Sequence, residues 1–271
     1  MSETKDSKLI SVIMAAHDSE KYIAESIESI LAQTYPCWEL VICDDASSDG
    51  TFEIISGYAE KDRRITVLQN QSNHGAAATR NRCIEASRGE YIAVQDDDDV
   101  SEPDRLERLM ERIKRDRCDL VSSGHYLFDG SGKYAVCLPE EEYPTKRSFL
   151  SGMPFCHAAT LFTRECLDKV GGYRVSRETV RNEDYDLFMR LYAGGASGCN
   201  VPDVLYGYRV DAAALKRRTF RFRMGECRIR AQGFRALGIL FPFGWLYVLR
   251  PIAAHLYQRI RPARPGKGGS L

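Results

Sequence analysis

Four consecutive carboxylates, Asp96, Asp97, Asp98 and Asp99, are the residues of this chain with the clearest capacity for chemistry. They follow at once on Tyr91–Val94, an apolar run that suits a short buried strand. Like charges packed this tightly repel, and where they are partly buried the repulsion is costly unless a cation sits among them. Carboxylate oxygens suit hard divalent ions such as magnesium or manganese, which commonly bridge to substrate phosphates. A solvated acidic face would need no such account. The shortness of the run and its place at a strand's carboxyl end favour a metal site, because open α/β sheets seat ligands there. Further polar residues follow the other predicted strands: Asp18, then Asp44 and Asp45, then Asn70 and Asn73. A second acidic group, Glu183, Asp184 and Asp186, falls in the first turn of a predicted helix that Asn182 can cap. There the helix dipole alone would account for the acids.

The segments around these residues alternate between strand and helix patterns. Residues 9–16 (LISVIMAA) read as a central strand, followed by a helix that Ser19 can cap and that carries Ile23, Ile27, Ile30 and Leu31. A second strand at 38–43, a helix at 51–59, a third strand at 65–68 and an alanine-rich helix at 76–86 lead to the strand before the tetrad. Ser101 and Pro103 open one more helix through Leu106, Leu109, Met110 and Ile113. Such alternation predicts a doubly wound, mostly parallel α/β sheet flanked by helices. It places the acids of three strand exits on one edge, the candidate site. The second half loses the alternation and reads as a smaller α+β portion. It has a strand at 120–123, a hairpin over 126–137, a strand at 159–162, and a short helix ending at Gly171-Gly172.

Bulk composition bounds the rest. A chain of 271 residues can bury a substantial core, and 44% hydrophobic with 28% charged residues is ordinary for a soluble protein. Net charge is zero but unevenly spread: residues 1–215 carry −12 and residues 216–271 carry +12. The nine cysteines form no CxxC pair or zinc-spaced cluster, and MSETKDSK is no secretory signal. Together these predict a cytoplasmic protein whose cysteines are mostly small core hydrophobes.

With these motifs in order, the sequence resembles the family 2 glycosyltransferases of the GT-A fold over roughly residues 8–210. LISVIMAAHDSEKYIAESIESILAQTY is similar to that family's first strand and helix, and VICDDASSDGT to its nucleotide-binding loop. NHGAAATRNRCIEASRGEYIAVQDDDD resembles its run into the DxD metal motif, and GGY at 171–173 with Glu183-Asp184 its acceptor side. The resemblance implies an inverting transfer from a nucleotide-diphosphate sugar to an acceptor hydroxyl, in bacterial-type cell-surface polysaccharide or glycolipid assembly. It implies a divalent metal, Mn2+ or Mg2+, held by Asp98 and Asp96, and Asp184 as general base. Asp45 would contact the base with Asp44 beside it, and Ala15, His17, Arg80, Asn81, Asp96 and Asp97 would line the nucleotide side. His157, Gly172 and Glu183 would face the acceptor, a glycan or a lipid-linked sugar. The chain departs from the family at Ala15-Ala16-His17-Asp18, where Pro-x-Tyr-Asn is usual, and at Tyr208-Arg209-Val210-Asp211, where a histidine is usual. A sugar nucleotidyltransferase would need a glycine-rich loop after the first strand, and residues 15–20 hold no glycine. A non-catalytic nucleotide-sugar-binding relative is the remaining alternative, against which Asp98 and Asp184 argue.

The segment 216–271 is a basic, aromatic tail of helical character. Its apolar stretch 236–249 (ALGILFPFGWLYVL) is shorter than the ~20 residues a spanning helix needs. The stretch carries Trp245 and Tyr247 and ends at Arg250, a pattern that suits an interfacial segment peripheral on the inner face of an anionic membrane. Packing on the catalytic domain is the competing expectation. Nothing in the domain points to nucleic acid.

Overall fold

The computed structural model describes residues 8–210 and 220–253. The predicted alternation is present as β1 (Ile10–Ala16), α1 (Ile23–Leu31), β2 (Trp38–Asp44), α2 (Thr51–Ala59), β3 (Ile65–Gln69), α3 (Ala76–Ala86) and β4 (Tyr91–Val94). Strands β3, β2, β1 and β4 lie side by side in that order, all parallel. Successive residues of these strands point to opposite faces, so each strand feeds two cores. On one face Val12, Met14, Leu40 and Ile42 meet Ile23 and Ile27 of α1. On the other, Ile13, Val41, Ile92 and Val94 meet Cys83 and Ile84 of α3. That two-sided burial is why the strands read as unbroken apolar runs.

Beyond β4 the sheet turns mixed. After the two-residue β5 (Val100–Ser101) and α4 (Arg105–Asp116), the chain forms β6 (Leu120–Asp129) and β7 (Gly132–Cys137). It continues through β8 (Leu161–Thr163), α5 (Arg164–Val170), α6 (Glu183–Ala193) and β9 (Gly198–Arg209). Strand β8 pairs antiparallel with both β4 and β6, and so joins the parallel half to the second half. The strand expected at 159–162 is therefore displaced, because His157–Ala159 winds into a 3-10 turn first. Nor does the Ser19 hydroxyl cap α1: the Ser19 carbonyl accepts the N–H groups of Tyr22 and Ile23, and the helix begins later. Asn182 precedes α6 without a side-chain cap bond.

Helix α7 (Phe220–Ala236) packs against α6, and Ile229, Phe234 and Leu237 are buried in the second core. The described part of the basic tail thus shares the core of residues 8–210. Arg230 fastens it, lying 5.1 Å over the Tyr185 ring and reaching the Leu150 and Tyr247 carbonyls at 3.4 and 3.5 Å. Past α7, around α8 (Gly244–Val248), the apolar side chains turn outward. Phe241 is 77% exposed, Phe243 69% and Trp245 48%. The segment 211–219, with Lys216 and Asp211, lies outside the described residues, as does everything after 253.

Candidate functional site

The tetrad leaves β4 in a tight loop that the fold holds from three sides. Gln95, fully buried, donates to the carbonyls of Asp96 and Asp99 and accepts from Ser101, so its amide shapes the turn. The backbone N–H of His17 at the β1 exit donates to Asp97 at 3.0 Å. From β9, Arg209 donates its backbone N–H to the Asp99 carboxylate and its Nε to the Asp98 carbonyl, both at 2.7 Å. Below the loop, Arg105 is wholly buried, bonding the carbonyls of Val94 and Ala158 with its guanidinium 5.2 Å from the Tyr206 ring centre. Tyr206 in turn accepts the Asp96 backbone N–H. None of Gln95, Arg105 or Tyr206 stands out in the sequence as a site residue, and Arg209 does so only as part of the 208–211 segment.

The four carboxylates are not equivalent. Against its burial, Asp96 is held below the usual carboxylate range by Arg80, whose guanidinium lies 2.7 Å away. Burial pushes Asp97 up to about 6 and, together with the charges of Asp97 and Asp96, pushes Asp98 up to about 7. Burial and the Asp96 charge move Asp99 well above the usual range. Among the described residues no ion pair reaches Asp98. No group of three or more His, Cys, Asp or Glu side chains there is set out to hold a metal. A divalent cation of the magnesium kind nevertheless fits this donor set, since it takes one or two carboxylates and fills its shell with phosphate oxygens and water. Asp98, an unpaired carboxylate raised by like charges, and Asp96 are the residues that would hold it.

Across the site, Arg80 also lies 3.7 Å from Glu183 at the start of α6. One guanidinium therefore joins the tetrad to the second acidic group, 87 residues further along. Asp184, next in the chain, is partly buried; burial and the neighbouring Glu183 push its carboxyl up to about 6. Among the described residues its carboxylate accepts the N–H of Tyr185 and has no side-chain partner. Asp186 is different: it is buried and ion-paired to Arg174 and Arg190, both at 2.7 Å, which makes it part of the packing. Tyr173 sits between the two groups, its ring 5.8 Å from the Arg80 guanidinium and its hydroxyl 2.7 Å from His157. Burial and the Arg80 charge lower His157 to about 3, so the imidazole is neutral.

The nucleotide-side residues divide into those with capacity left and those already engaged. Asp45 is 3% exposed and accepts from Asn70 and from the N–H groups of His74 and Gly75, so both its oxygens hold the loop that opens α3. Against burial, these bonds keep it below the usual range. Asp44 is fully buried, and its Oδ1 has no partner among the described residues. Its Oδ2 accepts from the Ser47 N–H and the Gln69 amide, both at 3.3 Å. Ala46 follows with φ +56°, a left-handed backbone costing a non-glycine residue about 1–2 kcal/mol, so the loop is held by its contacts. Asn81 does not face the nucleotide edge freely. Its amide exchanges two bonds with the backbone of Tyr173, at 2.7 and 2.8 Å, and clips the Gly171-Gly172 turn in place. Gly172 has φ +66°, and a Cβ there would meet Asn81 at 2.6 Å, which explains the glycine. His17 is half-exposed at the rim, 3.0 Å from Asn73, and Ala15 is partly buried beneath it.

Comparison with known proteins fits this arrangement. Residues 11–171 match the family described as glycosyl transferase family 2. The chain is 38% identical over 246 residues to the putative glycosyltransferase EpsE of Bacillus subtilis, covering 90% of this chain and 87% of that protein. It is 29% identical over 214 residues to an Escherichia coli protein, UDP-Glc:alpha-D-GlcNAc-diphosphoundecaprenol beta-1,3-glucosyltransferase WfaP, covering 79% and 82%. Among solved structures, residues 1–349 of Staphylococcus aureus TarS in complex with UDP-GlcNAc superpose with a TM-score of 0.73 at 19% identity, covering 94% of this chain and 76% of that one. The fold is accordingly of the GT-A type.

Proposed function

The chain belongs to glycosyl transferase family 2, and from that premise we propose an inverting, metal-dependent transfer of a sugar from a nucleoside-diphosphate donor to a glycan or lipid-linked acceptor. The observation that carries this reading is Arg80 bridging Asp96 and Glu183, which brings their neighbours Asp98 and Asp184, neither in an ion pair among the described residues, to one site. In this reading Asp45, with Asp44 beside it, lies against the base, and Asp98 with Asp96 would hold a divalent ion at the diphosphate. When bound, such an ion neutralises charge gathering on the leaving diphosphate. Asp184 takes the proton of the acceptor hydroxyl as it attacks the anomeric carbon. Attack from the face opposite the leaving group inverts the configuration. Neutral His157, fixed by Tyr173, is an uncharged donor or acceptor on the acceptor side. The test is release of free nucleoside diphosphate from a panel of nucleotide sugars, with manganese and with EDTA. Release that needs both one donor and manganese supports the reading; no release from any donor overturns it.

The acceptor side bears on where the enzyme works. No helix among the described residues is long and apolar enough to cross a membrane. Exposed Phe241, Phe243, Trp245 and Leu249 form an apolar rim beside Arg250, and residues 216–271 carry +12. That combination supports peripheral docking on an anionic bilayer, which would bring a lipid-linked acceptor to the cleft. Vesicles of phosphatidylglycerol and phosphatidylcholine should float with the full chain and release it at high salt. Phe241→Asp with Trp245→Glu should weaken this by roughly tenfold or more, as expected for losing two partly buried aromatic side chains. Equal flotation of both proteins would remove the membrane from the proposal.

A further inference from the structure

A cavity of about 290 Å³ opens between β6, β7 and the loop 148–156, and nothing in the donor chemistry uses it. Its position follows from the site already described, and the argument rests on the glycosyltransferase reading. One wall ends at Cys156, next in the chain to His157. Another carries His125, whose ring centre is 6.0 Å from that of Tyr208, and Tyr208 lies in the field of Asp96, Asp99 and Asp98. The cavity therefore begins where the acceptor side of the cleft ends.

Its lining is chemically mixed. Asn200 is 2% exposed and spends its amide N–H groups on the carbonyls of Glu141 and Pro154. Its Oδ1 is left buried with no partner among the described residues, and Asn200 lines both this cavity and a neighbouring one walled by Arg108, Arg112 and Pro202. A buried carbonyl oxygen without a donor is unfavourable, so it marks a place where a ligand hydroxyl or water belongs. Glu140 adds acceptors, while Met153 and Leu138 present apolar surface. Neutral hydroxyls on a ring with C–H faces match this set. A phosphate does not, since Glu140 and Glu141 outnumber Arg250, which already donates to the Ser151 carbonyl.

We infer that this cavity binds an uncharged saccharide unit of the acceptor, with Asn200 accepting from a ring hydroxyl and Met153 and Leu138 against its C–H face. Gly152 supplies the test, because a Cβ there meets nothing within 4 Å and its backbone needs no positive φ. Gly152→Trp should plug the cavity without strain. Ligand-detected NMR of the full chain with a panel of neutral p-nitrophenyl glycosides is the assay, with UDP binding followed in parallel. At least one glycoside should bind the natural chain and lose about tenfold or more in affinity in Gly152→Trp, with UDP affinity unchanged. Glu140→Gln, exposed and free to fold, should weaken the same glycoside several-fold. Either no glycoside bound by the natural chain, or glycoside binding unaltered in both variants, overturns the inference. Should Gly152→Trp also lose UDP, the Glu140→Gln result alone decides. Absence of UDP binding by the natural chain would count against the transferase reading, whereas glycoside loss on plugging would still support the cavity.

Discussion

Asp98→Ala should cost on the order of 10³-fold in kcat/KM and abolish manganese-dependent binding of nucleoside diphosphate. A metal clamp on a leaving diphosphate is worth several kcal/mol, and each 1.36 kcal/mol is a factor of ten. The same substitution should make the metal-free protein more stable, not less. Asp98 stands beside Asp96 and Asp97 with no ion pair among the described residues, and burial with their charges raises its carboxyl to about 7. Above that pH the side chain is ionised in the folded protein at a cost that the unfolded chain, with its lower carboxyl pKa, does not bear. Removing it should raise Tm at pH 8 by a few degrees, about 2–4 °C for each kcal/mol in a chain of this size. Calorimetric titration with UDP and manganese, and a thermal melt without them, check both halves. Unchanged affinity would sink the assignment of Asp98, and a large fall in Tm would show that the loop depends on it for structure.

The second large effect is at Asp184, whose replacement by Asn should lower turnover about 10²–10⁴-fold, the usual worth of a general base. Donor affinity should stay, because the tetrad, Asp44 and Asp45 are untouched. The pH profile adds a sign. A base acts ionised, and burial with the Glu183 charge puts this carboxyl at about 6. kcat/KM should therefore rise about tenfold per unit below pH 6 and level off above it, and in Asp184→Asn that limb should vanish. Glu183→Gln is the control: it loosens Arg80 and should cost less. If Asp184→Asn turns over normally and Glu183→Gln is dead, the base is Glu183. Asp186 offers no third possibility, since two arginines hold it in the packing.

How far the sequence carried depended on whether a signal was local. Helices 51–59 and 76–86 and the strand 91–94 fall where apolar periodicity and glycine punctuation put them. These segments bury whole faces, and burial is what periodicity records. The second half was harder for identifiable reasons. Strand β6 runs unbroken through Gly124 and His125, where its pairing with β9 shifts register, so its apolar pattern breaks although the strand does not. Strand β9 contains Pro202 and Asp203 at that same irregularity, and proline in a strand argues against one unless a bulge absorbs it. The carboxylates of the site were legible because runs of acid after strands are local. Their ranking was not: Asp44 and Asp45 are neighbours in sequence, and only the loop opening α3 decides which one has both oxygens engaged. Likewise Arg209 grips a loop 110 residues away, a contact no spacing rule foresees.

The shared guanidinium of Arg80 has an energetic corollary. It pairs at 2.7 Å with Asp96, on the donor side, and at 3.7 Å with Glu183, on the acceptor side. If Asp96 held a cation in the donor complex, as proposed, the first pair would weaken and Arg80 would be free to strengthen the second. The position of α6, and so the affinity for acceptor, would then depend on whether donor is present. Linkage makes the dependence reciprocal: acceptor must alter donor affinity by the same factor. A cleft wired through one arginine thus favours an ordered ternary complex, in which the second substrate meets a surface the first has finished, and in which an idle enzyme has little reason to spill its donor to water.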